Sequence, residues 1–310
     1  MSDNTAATAA DATAAAAPLP LSTLGVWYFT DGMDAAGAAA FAERVEYLGY
    51  STLWLPETTG RDPFAHIAFL ATQTTSLRFA TGIANVFHRH PGMMMQVTNT
   101  LAEQTGGRFV LGIGVSHAPM VAGLRKLDYS NPLSQMRAYL DGMDASPYSA
   151  RQPAAPPQRV LAALGPKMLE LSAERADGAH PYFTTPEHTA HARQIIGPDK
   201  LLCVEQKVVL TSDAEAGRRA ASTAIGYYAG LPNYRNNWLR LGFTEEQINQ
   251  SDPAFVDAVV AWGTAEQIRD RVQSHYDAGA THVCIQPLSP DPERPLALDW
   301  DALEALSPNA

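Results

Sequence analysis

Leu77-Arg78-Phe79-Ala80-Thr81-Gly82-Ile83-Ala84-Asn85-Val86-Phe87-His88-Arg89-His90-Pro91 is the stretch on which the reading of this chain turns. Leu77 to Thr81 has the composition of an apolar strand, and Gly82 then breaks it with a small, conformationally permissive residue. Pro91 sits where a helix tolerates proline, and after it Met94, Met95, Val97, Thr98 and Leu101 recur at helical spacing. Strand, loop and helix in succession place the loop's Asn85, His88 and His90 at the carboxyl end of a strand, where parallel sheets and barrels hold ligands. A glycine turn flanked by surface histidines explains this one segment equally well. Repetition decides between them.

The unit repeats along the chain. Strands are expected at 24–29, 52–55, 77–84, 109–115, 159–164, 177–180, 202–210 and 282–288. Helices are expected at 35–48, 63–75, 92–104, 133–143, 166–175, 186–196, 214–229 and 264–278. Asp62-Pro63, Thr185-Pro186 and Ser212-Asp213 read as helix starts, and Gly49, Gly106 and Gly279 as helix ends. Such a βα alternation gives a parallel sheet, and its count favours a closed TIM (β/α)8 barrel over a doubly wound sheet.

The 310 residues suffice for one barrel, with 46% hydrophobic and 17% charged residues as in a globular enzyme. Residues 1–20 read as a flexible low-complexity Ala/Thr tail and 21–310 as a single barrel domain. A formal net charge of −10 argues against binding nucleic acid or an anionic membrane surface, and no apolar run reaches spanning length. Cys203 and Cys284 lie in apolar strand-like runs, which suits a reducing cytoplasm and excludes a disulfide framework.

In a barrel the functional groups follow the strands. Glu57, after Leu53-Trp54-Leu55-Pro56, is a carboxylate able to accept from a heterocyclic N–H, or else a solvated loop acid. Ser116 and His117 follow Gly112-Ile113-Gly114, whose glycines allow close backbone approach; His117 suits proton transfer, or is a plain loop histidine. Gly165-Pro166-Lys167-Met168 opens a helix directly after a strand and reads as a phosphate seat or an ordinary proline-started helix. His180 and Tyr182 end a further strand. The pairs His88/His90 and His188/His191 lack a third metal ligand at suitable spacing, so no metal is expected. Residues 231–238 read as a lid or as a structural cap.

Residues 53–57, 80–85, 107–117 and 176–179, in that order, resemble the luciferase-like monooxygenase superfamily. Residues 163–170 and 232–238 are similar to its actinobacterial branch of probable F420-dependent oxidoreductases. The resemblance spans about residues 24 to 290 and implies a TIM barrel with insertions, usually a homodimer, holding a flavin or deazaflavin at the strand ends. It implies a bulge after the third strand, with a non-prolyl cis bond at Gly82–Ile83 behind the cofactor ring. It implies cofactor contacts from Glu57, Asn85 and Ser116 and from the backbone of Gly165, Pro166, Lys167 and Met168. Thr58 and His117 stand where the family's sugar-phosphate dehydrogenases carry His and Glu, so that substrate is not carried over.

The sequence thus leads to the expectation of a cytoplasmic oxidoreductase that moves a hydride between coenzyme F420 and an unidentified small-molecule substrate. His117 is the expected proton donor or acceptor, and His180 and Tyr182 are the substrate-side candidates. An FMN-dependent monooxygenase and a non-catalytic flavin or deazaflavin carrier are the alternatives.

Overall fold

The structure, a computed structural model, describes residues 21, 24–295 and 297–310. The tail expected at 1–20 lies outside them. Its strands are β1 (Leu24–Trp27), β2 (Thr52–Leu55), β3 (Arg78–Thr81), β4 (Ala84–Asn85), β5 (Phe109–Gly114), β6 (Gln158–Leu161), β7 (Gly178–Ala179), β8 (Leu201–Leu210), β9 (Val260–Gly263) and β10 (His282–Pro287). All pairings are parallel, in the order β10-β1-β2-β3-β5-β6-β7-β8-β9, and β8 returns to β10 to close the ring. Strands β4 and β9 stand outside the closed eight, which is the barrel the alternation predicts. The helices open where the capping residues place them: the side chains of Asp62, Thr185 and Asp213 each accept a first-turn backbone N–H.

The strand expected at 77–84 is in fact two. β3 stops at Thr81, the Gly82–Ile83 peptide is cis, and β4 resumes at Ala84. Ala80 pairs with Val110 but Ala84 pairs with Ile113, so one extra residue has entered on the β3–β4 side. The bulge leans on β5, where a Cβ at Gly112 would lie 2.0 Å from the Thr81 carbonyl oxygen and one at Gly114 2.7 Å from Ile83 Cδ1. Those two glycines are required by the neighbouring bulge.

On its β8 side β7 pairs with Leu201 and Leu202 alone, and the far part of β8, Lys207 to Leu210, pairs with β9 instead. β9 ends a segment that the strand and helix pattern does not anticipate: helices Pro232–Arg240, Glu245–Gln250 and Pro253–Val259 between β8 and β10. The residues expected to form a lid or cap at 231–238 are mostly the first of these helices, which buries Tyr234, Asn237 and Trp238. Tyr234 and Trp238 pack with Phe183, Ile225, Phe255 and Val260 in an apolar cluster separate from the main shell around the barrel.

Candidate functional site

A cavity of about 720 Å3 opens at the carboxyl end of the barrel, within the usual size range of ligand sites. Of the residues singled out from the sequence, Glu57, Gly82, Ile83, Ser116, His117, Gly165, Pro166, Lys167, Met168, His180 and Tyr182 line it. Asn85 does not. It is fully buried behind the wall, where its side-chain oxygen accepts from Phe87 N at 3.0 Å and its amide meets His88 Nε2 at 3.1 Å. It holds the turn after β4 rather than facing the cavity.

The floor is aromatic. Trp27 donates its indole N–H to the Gly82 carbonyl at 2.9 Å and packs 5.0 Å from the Tyr182 ring. A Cβ on Gly82 would fall 2.5 Å from Trp27 Nε1, so the bulge can approach the floor only as glycine. His180 donates Nδ1–H to the Cys203 carbonyl at 2.8 Å, which leaves Nε2 without a hydrogen; that atom is buried and has no partner among the described residues. Burial pulls the His180 imidazole down to about 4, so it is uncharged at neutral pH.

Glu57 differs from its expected role. Its Oε2 accepts from Asn85 N at 2.7 Å and from Arg89 Nη1 at 2.9 Å. Its Oε1 meets Arg89 Nη2 at 2.7 Å and His88 Nδ1 at 3.3 Å. A carboxylate offers about four acceptor positions, and the loop fills them. Glu57 stands in the wall, but it serves to anchor residues 85–89 rather than to receive a heterocyclic N–H.

The rim has two sides. On one, half-buried His117 lies 5.3 Å from the Tyr234 ring, with Nδ1 3.4 Å from the Asn233 amide. Burial lowers its pKa to about 4, well below the value near 6.5 that made it attractive as a proton donor. Ser116, at φ 54°, turns its carbonyl toward Tyr129 Oη, which donates to it at 2.8 Å. On the other side, the helix Pro166–Arg175 starts at Gly165 with no side-chain cap, leaving its positive end open. Lys167 and Arg240 line the cavity there. A second hollow of about 470 Å3 lies outside the barrel around Arg159, Glu174 and Asp177. Salt bridges to Asp144 and Asp141 occupy its arginines, Arg159 and Arg175.

Beneath the floor lies an assembly that the sequence reading overlooks. Lys207 Nζ donates to Glu205 Oε1 at 3.1 Å and to Gln286 Oε1 at 3.2 Å, and sits 3.8 Å from the Tyr182 ring centre. Burial lowers the Lys207 pKa, outweighing the neighbouring Glu205, and raises that of Glu205. Tyr182 Oη contacts Gln286 Oε1 at 2.7 Å and Tyr228 Oη at 2.8 Å. The alternation along β8 was the available signal, since Glu205 and Lys207 are two apart and share one face of a strand. Among the described residues no group of three or more His, Cys, Asp or Glu is placed to hold a metal, and no helix is long and apolar enough to cross a membrane.

The family model for luciferase-like monooxygenases matches residues 19–282. A putative coenzyme F420-dependent oxidoreductase of Mycobacterium tuberculosis is 24% identical over 337 residues, covering 88% of this chain and 96% of that protein. The solved structure of coenzyme F420-dependent tetrahydromethanopterin reductase from Methanopyrus kandleri superposes with a TM-score of 0.74 at 18% identity, over 94% of this chain and 98% of that one. The oxygenating constituent of 3,6-diketocamphane monooxygenase from Pseudomonas putida, in complex with FMN, superposes with a TM-score of 0.67 at 17% identity, over 94% and 98%.

Proposed function

This chain belongs to the luciferase-like monooxygenase family, and from that premise we propose that it is an oxidoreductase transferring a hydride between coenzyme F420 and a small organic substrate. One observation carries the reading: a single cavity joins an uncharged aromatic floor to a rim where an open helix end stands beside Lys167 and Arg240. That is the shape and charge of a site for a flat ring with an anionic tail. The relative's description as F420-dependent supports the deazaflavin over other rings.

In this reading the Gly82–Ile83 backbone and Ala162 to Met168 hold the cofactor, with Lys167, Arg240 and the helix end meeting its negative charge. The bound group supplies the hydride chemistry. The chain supplies orientation, a dry aromatic surround and groups that hold or accept protons. His117, His180 and Tyr182 stand at the substrate side, and the two histidines act uncharged. Homodimerisation and a cytoplasmic setting belong to the same proposal.

FMN is the second reading. It is favoured by the FMN-bound neighbour and by the fact that the rim suits any phosphate. Titration of the purified protein with F420 and with FMN separates the two: tighter F420 binding is expected. Preferential FMN binding with oxygen consumption would move the chain to the monooxygenase side, and binding without turnover on any substrate would make it a carrier.

A further inference from the structure

Trp27, Tyr129, Tyr182, Tyr228 and Tyr234 are the tryptophan and tyrosine side chains that line the cavity, each with one proton to donate. Trp27 gives its proton to the Gly82 carbonyl and Tyr129 to the Ser116 carbonyl. An ammonium only donates, so the Gln286 amide turns its oxygen toward Lys207. Tyr182 Oη meets the same oxygen and gives it its proton. The contact between Tyr182 and Tyr228 then takes its proton from Tyr228. Tyr234 differs from all of these. Its hydroxyl has no hydrogen-bond partner among the described residues, and its oxygen is not sealed from the cavity as His180 Nε2 is. Burial, with Tyr228 and Glu205 nearby, pushes its pKa well above the usual phenol value, so the proton stays on. The ring is held in place by Tyr228, 4.9 Å away and nearly perpendicular, and by Tyr182 and Trp238 at 6.0 and 6.1 Å. Lys207, behind the Tyr182 ring, is paired with Glu205. One uncharged donor does not offset the desolvation of a carboxylate or phosphate, but it suits a neutral oxygen.

We propose that Tyr234 is the substrate-orienting donor of this site: its hydroxyl donates to a carbonyl-type oxygen of a neutral substrate and fixes how that molecule lies in the cavity. This rests on the reading of the cavity as the active site of an oxidoreductase. Within it, Tyr234 takes the place expected of Tyr182, whose proton is committed to Gln286 and whose ring serves as wall. The contact comes from the helix Pro232–Arg240 of the β8–β10 insertion, whereas Gly82 and Ile83 belong to the barrel. A buried donor without a partner destabilises a fold, and a ligand oxygen at Tyr234 relieves that cost.

The test uses acetophenone and benzamide as neutral carbonyl probes, ethylbenzene as the oxygen-free counterpart and benzoate as the charged one. Affinity is read from quenching of tryptophan emission, Trp27 being part of the floor, and the hydrogen bond from the carbonyl stretch of the bound ¹³C-labelled probe, in protein with and without F420. At least one carbonyl probe is expected to bind about tenfold more tightly than ethylbenzene and than benzoate, with its stretch shifted to lower frequency than in an apolar solvent. Tyr234→Phe, which keeps the ring and its packing, should abolish both the preference over ethylbenzene and the shift, with an unchanged thermal melt and F420 binding retained. Tyr228→Phe removes a hydroxyl whose proton is already committed, and should keep the shift. No binding of either carbonyl probe to the wild-type protein, an unshifted stretch, or a shift that survives Tyr234→Phe would overturn the proposal. Failure of the wild-type protein to bind F420 would instead remove the cofactor reading, and the carbonyl shift would still be measurable without cofactor.

Discussion

The imidazole of His180 lies flat on the indole of Trp54, with ring centroids 4.3 Å apart and planes 13° apart. Trp54 is itself held from its far edge, donating Nε1–H to His282 Nε2 at 3.0 Å. Together with the bond from His180 Nδ1 to the Cys203 carbonyl, the stack fixes where Nε2 points before a ligand arrives. The order of protons at the floor is therefore a property of the folded chain.

His180 and His117 should separate in kinetics. His180→Gln is expected to depress kcat/KM by roughly 10²–10⁴-fold through kcat, whereas His117→Gln, at the rim beside Asn233, should mainly raise KM. Steady-state kinetics of both variants on one substrate decides. A kcat loss confined to His117→Gln would return the proton step to the rim.

Gly82→Val should cost more in cofactor binding than in folding. Its Cβ would sit 2.5 Å from Trp27 Nε1 and push apart the floor and the bulge. We expect F420 affinity to fall by about tenfold or more, that is by at least roughly 1.4 kcal/mol. Titration beside a thermal melt measures both effects, and unchanged affinity would mean that the bulge serves the barrel alone.

Stability should fall between pH 6.5 and 5. Burial holds His180 and His188 at about 4 and His275 at about 3, so all three stay uncharged in the folded protein while the unfolded chain takes up protons near 6.5. The stabilisation from each is complete above that value and is lost as pH falls toward the folded pKa. Over this interval each should contribute roughly 1–2 kcal/mol of loss. Urea denaturation across the range measures it, and His275→Gln should reduce the slope by about one proton.

Lys207→Met should destabilise by about 3–5 kcal/mol, because it leaves the fully buried Glu205 with the Phe183 backbone N–H but without its cation. Adding Glu205→Gln should recover much of that loss. Chemical denaturation of the single and double variants checks this, and a stable single variant would show that the aromatic surround suffices.

The barrel was legible because each βα unit carries its own punctuation: Asp62-Pro63, Thr185-Pro186 and Asp213 cap helices, and apolar runs between them have strand length. The insertion after β8 was harder. Its helices are short, and β9 follows the helix Pro253–Val259 with no intervening turn residue. The capping box of Thr244 and Gln247 and the Asp252-Pro253 start were present as signals. At the site, loop position identified most of the lining, since residues after barrel strands face one mouth. Hydrogen-bond partners are not written in spacing, and so the engagement of Glu57 by Arg89 and the burial of Asn85 emerged only in three dimensions.

The two ends of the cavity rest on different packing. The side near Gly82 and Glu57 is built on the barrel, whereas Tyr228, Leu231 and Tyr234 belong to the cluster formed by the β8–β10 insertion. Substitutions within that insertion alter the shape presented to an incoming molecule while leaving barrel closure intact. Selection can thus retune one end of the cavity without renegotiating the other, an independence that lets one scaffold diversify into many specificities.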